Sequence, residues 1–331
     1  MGWVLIWGLT LVTGRGQPFL FPTGNRALLE RGGEERFFTG TIGRPWPSGT
    51  YGCVRSEGWR FHEGLDISAT ERDGNDEPLD AVLATADGQV VYINRRPGLS
   101  NYGNYIVMRH VIEGLEMYSI YAHLSRVREG LRAGQEVRGG EEIAVMGRTT
   151  NTRERISKER AHLHFEICLL LSDRFAAWHQ LRMKGARNDH GDWNGQALIG
   201  LDPWVLLEVP HGGVGPFSLV AHVRNQPELC RVMVRDTDFS FIRRYPLLVW
   251  RNSRAEREGV AGYEVRLTHA GAPFALVPRA ESELASKNRF HLLSVNEEVR
   301  EAHPCRRLVD RTSGRWELTS QGENLLDLLT Y

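Results

Sequence analysis

Over residues 37–209 apolar and polar positions alternate in short runs broken by glycine, a period of two that predicts antiparallel strands rather than amphipathic helices. Residues 81–86 and 89–94 flank Asp87-Gly88, a dipeptide that supplies the positive φ angles of a tight hairpin turn. Residues 105–110 and 116–123 form the next two strands, joined by the polar stretch around Glu113-Gly114. Residues 127–147 alternate short apolar pairs with glycine turns, which reads as small hairpins. In 161–167, polar residues at 162, 164 and 166 alternate with Leu163, Phe165 and Ile167, the pattern of a half-buried strand.

Two stretches break the alternation. Residues 148–160 are densely charged without apolar periodicity, so they read as a solvated loop. Residues 172–198 carry Trp178, Trp193 and several glycines, and are expected to pack as a loop or short helix over the sheet edge. Leu201-Asp202-Pro203-Trp204 closes this first unit, and the turn-rich residues 211–216 read as a linker. Beyond it, strand-like runs at 274–278 and 315–319 and a helical end at 323–329 predict a small α+β domain. The fold expected is a mainly β antiparallel-sheet domain over 37–209 followed by an α+β domain over 217–331.

The chain of 331 residues is long enough for two cores. Its 41 basic side chains cancel 41 acidic ones, so charge gives no reason to propose nucleic acid. No segment approaches the ~20 apolar residues of a membrane-spanning helix. The apolar run 3–12, followed by small residues and Arg15, has the length of an export-signal core, and residues 1–16 are assigned to such a leader; a buried first strand is the alternative. Export places the protein in the periplasm or cell envelope. Four cysteines, Cys53, Cys168, Cys230 and Cys305, form either two disulfides or four buried thiols.

The chemistry concentrates in three places. His62 and Asp66 stand four apart and offer a nitrogen and an oxygen donor, both common zinc ligands. His62-Glu63 is not the start of H-E-x-x-H, because Gly64 disfavours the helix by about 1 kcal/mol and Asp66 replaces the second histidine; a strand or turn fits better. Period-two alternation points His162 and His164 to one face, α-carbons roughly 6 to 7 Å apart, so one can bind a metal while the other reaches a ligand on it. Cys168 continues that face about 13 Å from His164, too far to share a metal, and is read as structural. His123 ends a third strand. Glu166 is read either as a hydrogen-bond partner of a ligand histidine or as a solvated strand residue, and His110 as structural. His179, His190 and Asp192 have the residue types for a second metal site but read as ordinary insertion residues.

Together these motifs resemble the lysostaphin or LytM type of zinc endopeptidases, many of which cut peptide cross-links in bacterial peptidoglycan. The family's histidine, three residues, aspartate pattern stands at His62 to Asp66, its Y-A-H-L-S block at Tyr121 to Ser125, and its H-L-H-F-E block at His162 to Glu166. Glycine landmarks match in Ala86-Asp87-Gly88-Gln89-Val90, Tyr102-Gly103-Asn104-Tyr105 and Val137-Arg138-Gly139-Gly140. The resemblance covers residues 37–209. It implies one zinc ion held by His62, Asp66 and His164, with His123 and His162 as paired catalytic histidines, and a peptide of peptidoglycan as substrate. Three protein ligands leave the fourth zinc position open, as catalysis requires. The chain departs from the family in 149–160, where Arg153, Arg155, Lys158 and Arg160 replace a glycine- and serine-rich approach to the H-L-H block. Two rival readings are a catalytically silent module that binds wall or activates another hydrolase, and a peptidase acting on non-wall proteins.

Overall fold

The structure is a computed structural model that describes residues 18–212 and 217–331; the expected leader at 1–16 and most of the expected linker lie outside the described residues. The chain is mainly antiparallel β. The first strands are β1 (Gly52–Arg55), β2 (Arg60–His62), β3 (Leu65–Ser68), β4 (Ala81–Leu83), β5 (Gly88–Asn94), β6 (Asn104–Ile112) and β7 (Leu115–Leu124). They are followed by β8 (Arg126–Val127), β9 (Glu136–Val137), β10 (Glu142–Val145), β11 (His162–Leu170) and β12 (Leu198–Leu201). The main sheet has the order β12-β11-β7-β6-β5-β9, and β3 pairs with the first half of β11 while β12 pairs with its second half. Two strands thus lie end to end along one edge of β11.

The β6–β7 hairpin forms as expected: Glu113 and Gly114 both have positive φ, 53° and 78°, which matches the right-handed twist of the flanking strands. The expected turn at Asp87-Gly88 does not form. Strand β4 pairs with β10 in a separate three-stranded sheet, and β5 pairs with β6 and β9. The chain crosses between sheets at this dipeptide, Asp87 accepts from the Gly139 amide, and a Cβ on Gly88 would lie 2.4 Å from the Arg109 carbonyl oxygen. Glycine is needed there for close approach rather than for a turn. Residues 127–147 are likewise not small hairpins, because their short apolar pairs serve two sheets: β8 and β10 join the β4 sheet, and β9 edges the main one.

Strand β11 is buried along all nine residues rather than half-buried. Its polar face is covered by Tyr102, whose hydroxyl reaches Glu166, and by Gly64, packed against the Phe165 carbonyl. The helix Phe175–Arg182 fills part of 172–198, and the helix Pro203–Gly212 follows β12.

After residue 217, strands β13 (Cys230–Val234), β14 (Gly262–Leu267), β15 (Pro273–Arg279) and β16 (Phe290–Val295) form a sheet of order β15-β14-β13-β16. The hairpin β17 (Val309–Thr312) and β18 (Arg315–Leu318) leads to a terminal helix, Ser320–Leu329, capped by the Thr319 side chain. This part packs on the first: the Tyr245 hydroxyl accepts from the Leu170 amide, Trp178 Nε1 donates to Asp327, and the buried apolar residues form one continuous cluster. A single disulfide joins Cys53 to Cys305, whereas Cys168 and Cys230 are buried free thiols in different sheets, a pattern that matches neither expectation for the four cysteines. No helix among the described residues is long and apolar enough to cross a membrane.

Candidate metal centre

Antiparallel pairing sets Asp66 of β3 directly opposite His164 of β11, so both side chains leave the same face. His62, at the end of β2, enters from the β1–β2 hairpin. Three donor atoms converge: His62 Nε2 lies 3.0 Å from His164 Nδ1 and 3.2 Å from Asp66 Oδ1, and His164 Nδ1 lies 3.1 Å from Asp66 Oδ1. All three residues are buried. A tetrahedral zinc with bonds of about 2.0–2.1 Å requires donors roughly 3.3 Å apart, so this triangle fits the ion.

The remaining ring nitrogens are spoken for. His62 Nδ1 donates to the Thr50 carbonyl at 2.7 Å, and His164 Nε2 lies 2.8 Å from Glu166 Oε1. Each contact leaves the nitrogen facing the triangle as the one available to a metal. Glu166 is therefore not a solvated strand residue; it is buried and shared between His164 and the Tyr102 hydroxyl at 2.6 Å. Burial opposes ionisation of Asp66, yet His162, His62 and Arg55 hold its carboxyl well below the usual range. Burial also opposes a charge on His164, but its bonds to Asp66 and Glu166 raise it to about 9.

His123 and His162 flank the triangle. On β7 the residue opposite His164 is Ala122, so strict alternation would send His123 to the other face. Its left-handed backbone, φ 61°, breaks the alternation and brings its ring centroid to 4.9 Å from that of His162 and 5.9 Å from that of His164. This conformation is held by the His123 amide bonded to the Tyr102 carbonyl and by Nδ1 bonded to the Thr149 carbonyl at 2.9 Å. His162 Nδ1 donates to the Arg160 carbonyl at 2.6 Å, and its Nε2 lies 3.4 Å from Asp66 Oδ1. Burial lowers the pKa of both rings, His123 well below the ordinary value. Burial thus favours the neutral ring in both, with Nδ1 of each held by a backbone carbonyl.

The other sequence candidates lie elsewhere. His110 bonds the Asp87 carbonyl and Ser119, His190 bonds Tyr92 and the Leu99 carbonyl, Asp192 accepts from the Ala176 amide, and His179 is buried in its helix. Cys168 donates to Glu166 Oε2. The residue missed by sequence reasoning is Arg55, whose Nη2 lies 2.8 Å from His62 Nε2 and bonds Asp66 Oδ2. No local signal marks it, because only the β1–β2 pairing brings it to the site.

Residues 60–173 match the model of peptidase family M23. The murein hydrolase activator NlpD of Escherichia coli is 37% identical over 106 residues, 32% of this chain and 22% of that protein. The lipoprotein NlpD of Yersinia enterocolitica is 37% identical over 86 residues, 26% of this chain and 74% of that protein. A solved structure of a putative glycyl-glycine endopeptidase LytM from Ruminococcus gnavus is 30% identical, with TM-score 0.26, over 33% of this chain and 39% of that one. The chain thus spans about a fifth of the length of the first of these relatives. From the His62, Asp66 and His164 triangle on its sheet and the match of the segment that carries it, this chain belongs to peptidase family M23, the lysostaphin and LytM type.

Proposed function

We propose that the protein is a zinc-dependent endopeptidase of the cell envelope that hydrolyses peptide bonds in peptidoglycan, with residues 37–209 as its peptidase domain. The observation that carries this reading is the convergence of His62 Nε2, Asp66 Oδ1 and His164 Nδ1 beside two further histidines whose Nδ1 atoms are held by backbone carbonyls. A bound zinc supplies a Lewis acid that activates water and polarises the scissile carbonyl. His62, Asp66 and His164 hold it, and Glu166 and the Thr50 carbonyl orient the two histidine rings. His123 and His162 accept a proton at Nε2 and return it to the leaving amine; the neutral state that burial favours suits them to the first of these tasks.

A second reading is a hydrolase activator, the role printed in the name of the Escherichia coli relative. The contact of Arg55 with His62 and Asp66 favours it, since a guanidinium beside two donor atoms competes with a metal. Zinc content of the purified protein, measured with hydrolysis of isolated peptidoglycan with and without a chelator, separates the two. Stoichiometric zinc with chelator-sensitive release of new amines is the expected result. Absence of zinc and of hydrolysis would overturn the peptidase reading in favour of the activator.

A further inference from the structure

The triangle lies in a cleft of about 1150 Å³ lined by three separate parts of the chain. Arg160, just before β11, and His162 and His164, near its start, lie on the cleft lining, and so does Leu171 after its end, whereas the strand between them is buried. At about 3.3 Å per residue the span from Arg160 to Leu171 exceeds roughly 30 Å, room for an extended peptide of about eight residues.

The two ends of the cleft differ in chemistry. At the start, Arg153 and Arg160 stand with one carboxylate, Glu154, and neither arginine is in an ion pair among the described residues. The whole cleft carries six arginines and three carboxylates, a local excess in a chain whose charges balance. The far end is walled by the terminal helix Ser320–Leu329, where Leu308 and Leu325 meet the exposed amides of Gln321 and Asn324. That wall is tied to the site by covalent and local contacts: Cys305 is bonded to Cys53 on β1, and the Arg306 guanidinium lies 5.0 Å over the ring of Phe61, next to His62.

We propose that the cleft takes an extended peptide across the donor triangle, its carboxylate groups toward Arg153 and Arg160 and an apolar residue against the terminal helix. The carboxy-terminal part of the chain is then a specificity wall of the substrate site rather than a separate module. This rests on the peptidase reading for the reaction, though binding alone tests it. Fluorescent eight-residue peptides are titrated against the metal-free full chain: one with glutamates in one half and leucine in the other, one with the glutamates changed to glutamine, and one with the leucine changed to serine.

The expected result is about fivefold weaker binding for each altered peptide, the scale of one partly exposed contact. Arg153→Gln with Arg160→Gln removes the preference for glutamate but keeps that for leucine, and Leu325→Gln does the reverse, each variant serving as the other's folding control. Equal binding of all three peptides, no binding of any, or a leucine preference that survives Leu325→Gln overturns the inference, whatever the zinc-loaded protein does to peptidoglycan. Preserved preferences without hydrolysis leave the inference standing and remove the peptidase reading.

Discussion

Arg55 Nη2 lies 2.8 Å from Nε2 of His62 and also bonds Asp66, so a guanidinium occupies one flank of the donor triangle. Two unit charges about 4 Å apart at an effective dielectric near 20 interact by about 4 kcal/mol, and a divalent ion doubles that. Losing the orienting bond to Asp66 costs about ten- to a hundredfold in metal affinity, which is smaller. Arg55→Met is therefore expected to bind zinc at least about tenfold more tightly in chelator competition. Unchanged or weaker binding would mean that Arg55 swings clear of the metal and serves to orient Asp66.

His123 touches none of the three donor residues through a hydrogen bond, and its Nδ1 is held by the Thr149 carbonyl. A His123→Ala protein is expected to retain one zinc while hydrolysis falls by about 10² to 10⁴, the usual contribution of a general acid or base. Parent-level turnover by the zinc-loaded variant would remove His123 from the mechanism.

His110 gives the protein an acid sensitivity unrelated to catalysis. Burial depresses its pKa to about 4, with Nδ1 donating to the Asp87 carbonyl and Nε2 2.7 Å from Ser119 Oγ. Between that value and the unfolded value near 6.5 the unfolded chain binds the extra proton, so stability falls as pH drops through this window and levels off below it. The full effect is about 3 kcal/mol. Denaturant midpoints from pH 7 to 4 are expected to fall less steeply in His110→Gln than in the parent; parallel curves would exclude His110 as the source.

Gly64 sits between His62 and Asp66, where a Cβ would meet the Phe165 carbonyl oxygen at 2.2 Å and Glu166 Cγ at 2.8 Å. Gly64→Ala must push β3 from β11 and part Asp66 from His164. A loss of about 1–3 kcal/mol in stability together with weaker zinc binding is expected from thermal melts and metal titration. Parent-like values in both would show that the strands can yield without moving the donors.

The Cys53–Cys305 disulfide closes a loop of 252 residues. Chain entropy bounds its contribution at about 5 kcal/mol. Cys53→Ser with Cys305→Ser is expected to lower the denaturant midpoint, and a reducing agent should do the same to the parent but not to the double variant.

Much of this protein was legible in the residue order alone. Period-two alternation located β6, β7 and β11, the polar stretch at Glu113-Gly114 made the turn between two of them, and donor type and spacing marked His62, Asp66 and His164, which converge, while His123 entered only through the family resemblance. These are short-range properties, written in side-chain alternation, turn preference and donor type.

The tertiary structure decided which strands pair, and with that the rest. It sent β4 and β10 to a second sheet although their sequence also suited local hairpins, because a strand's partner depends on long-range burial that alternation does not encode. It turned His123 onto the cleft by a left-handed backbone, brought Arg55 to the His62 and Asp66 side chains across a hairpin, and joined Cys53 to Cys305. Each of these contacts spans residues whose proximity costs chain entropy that only the assembled core repays, so no local pattern announces them.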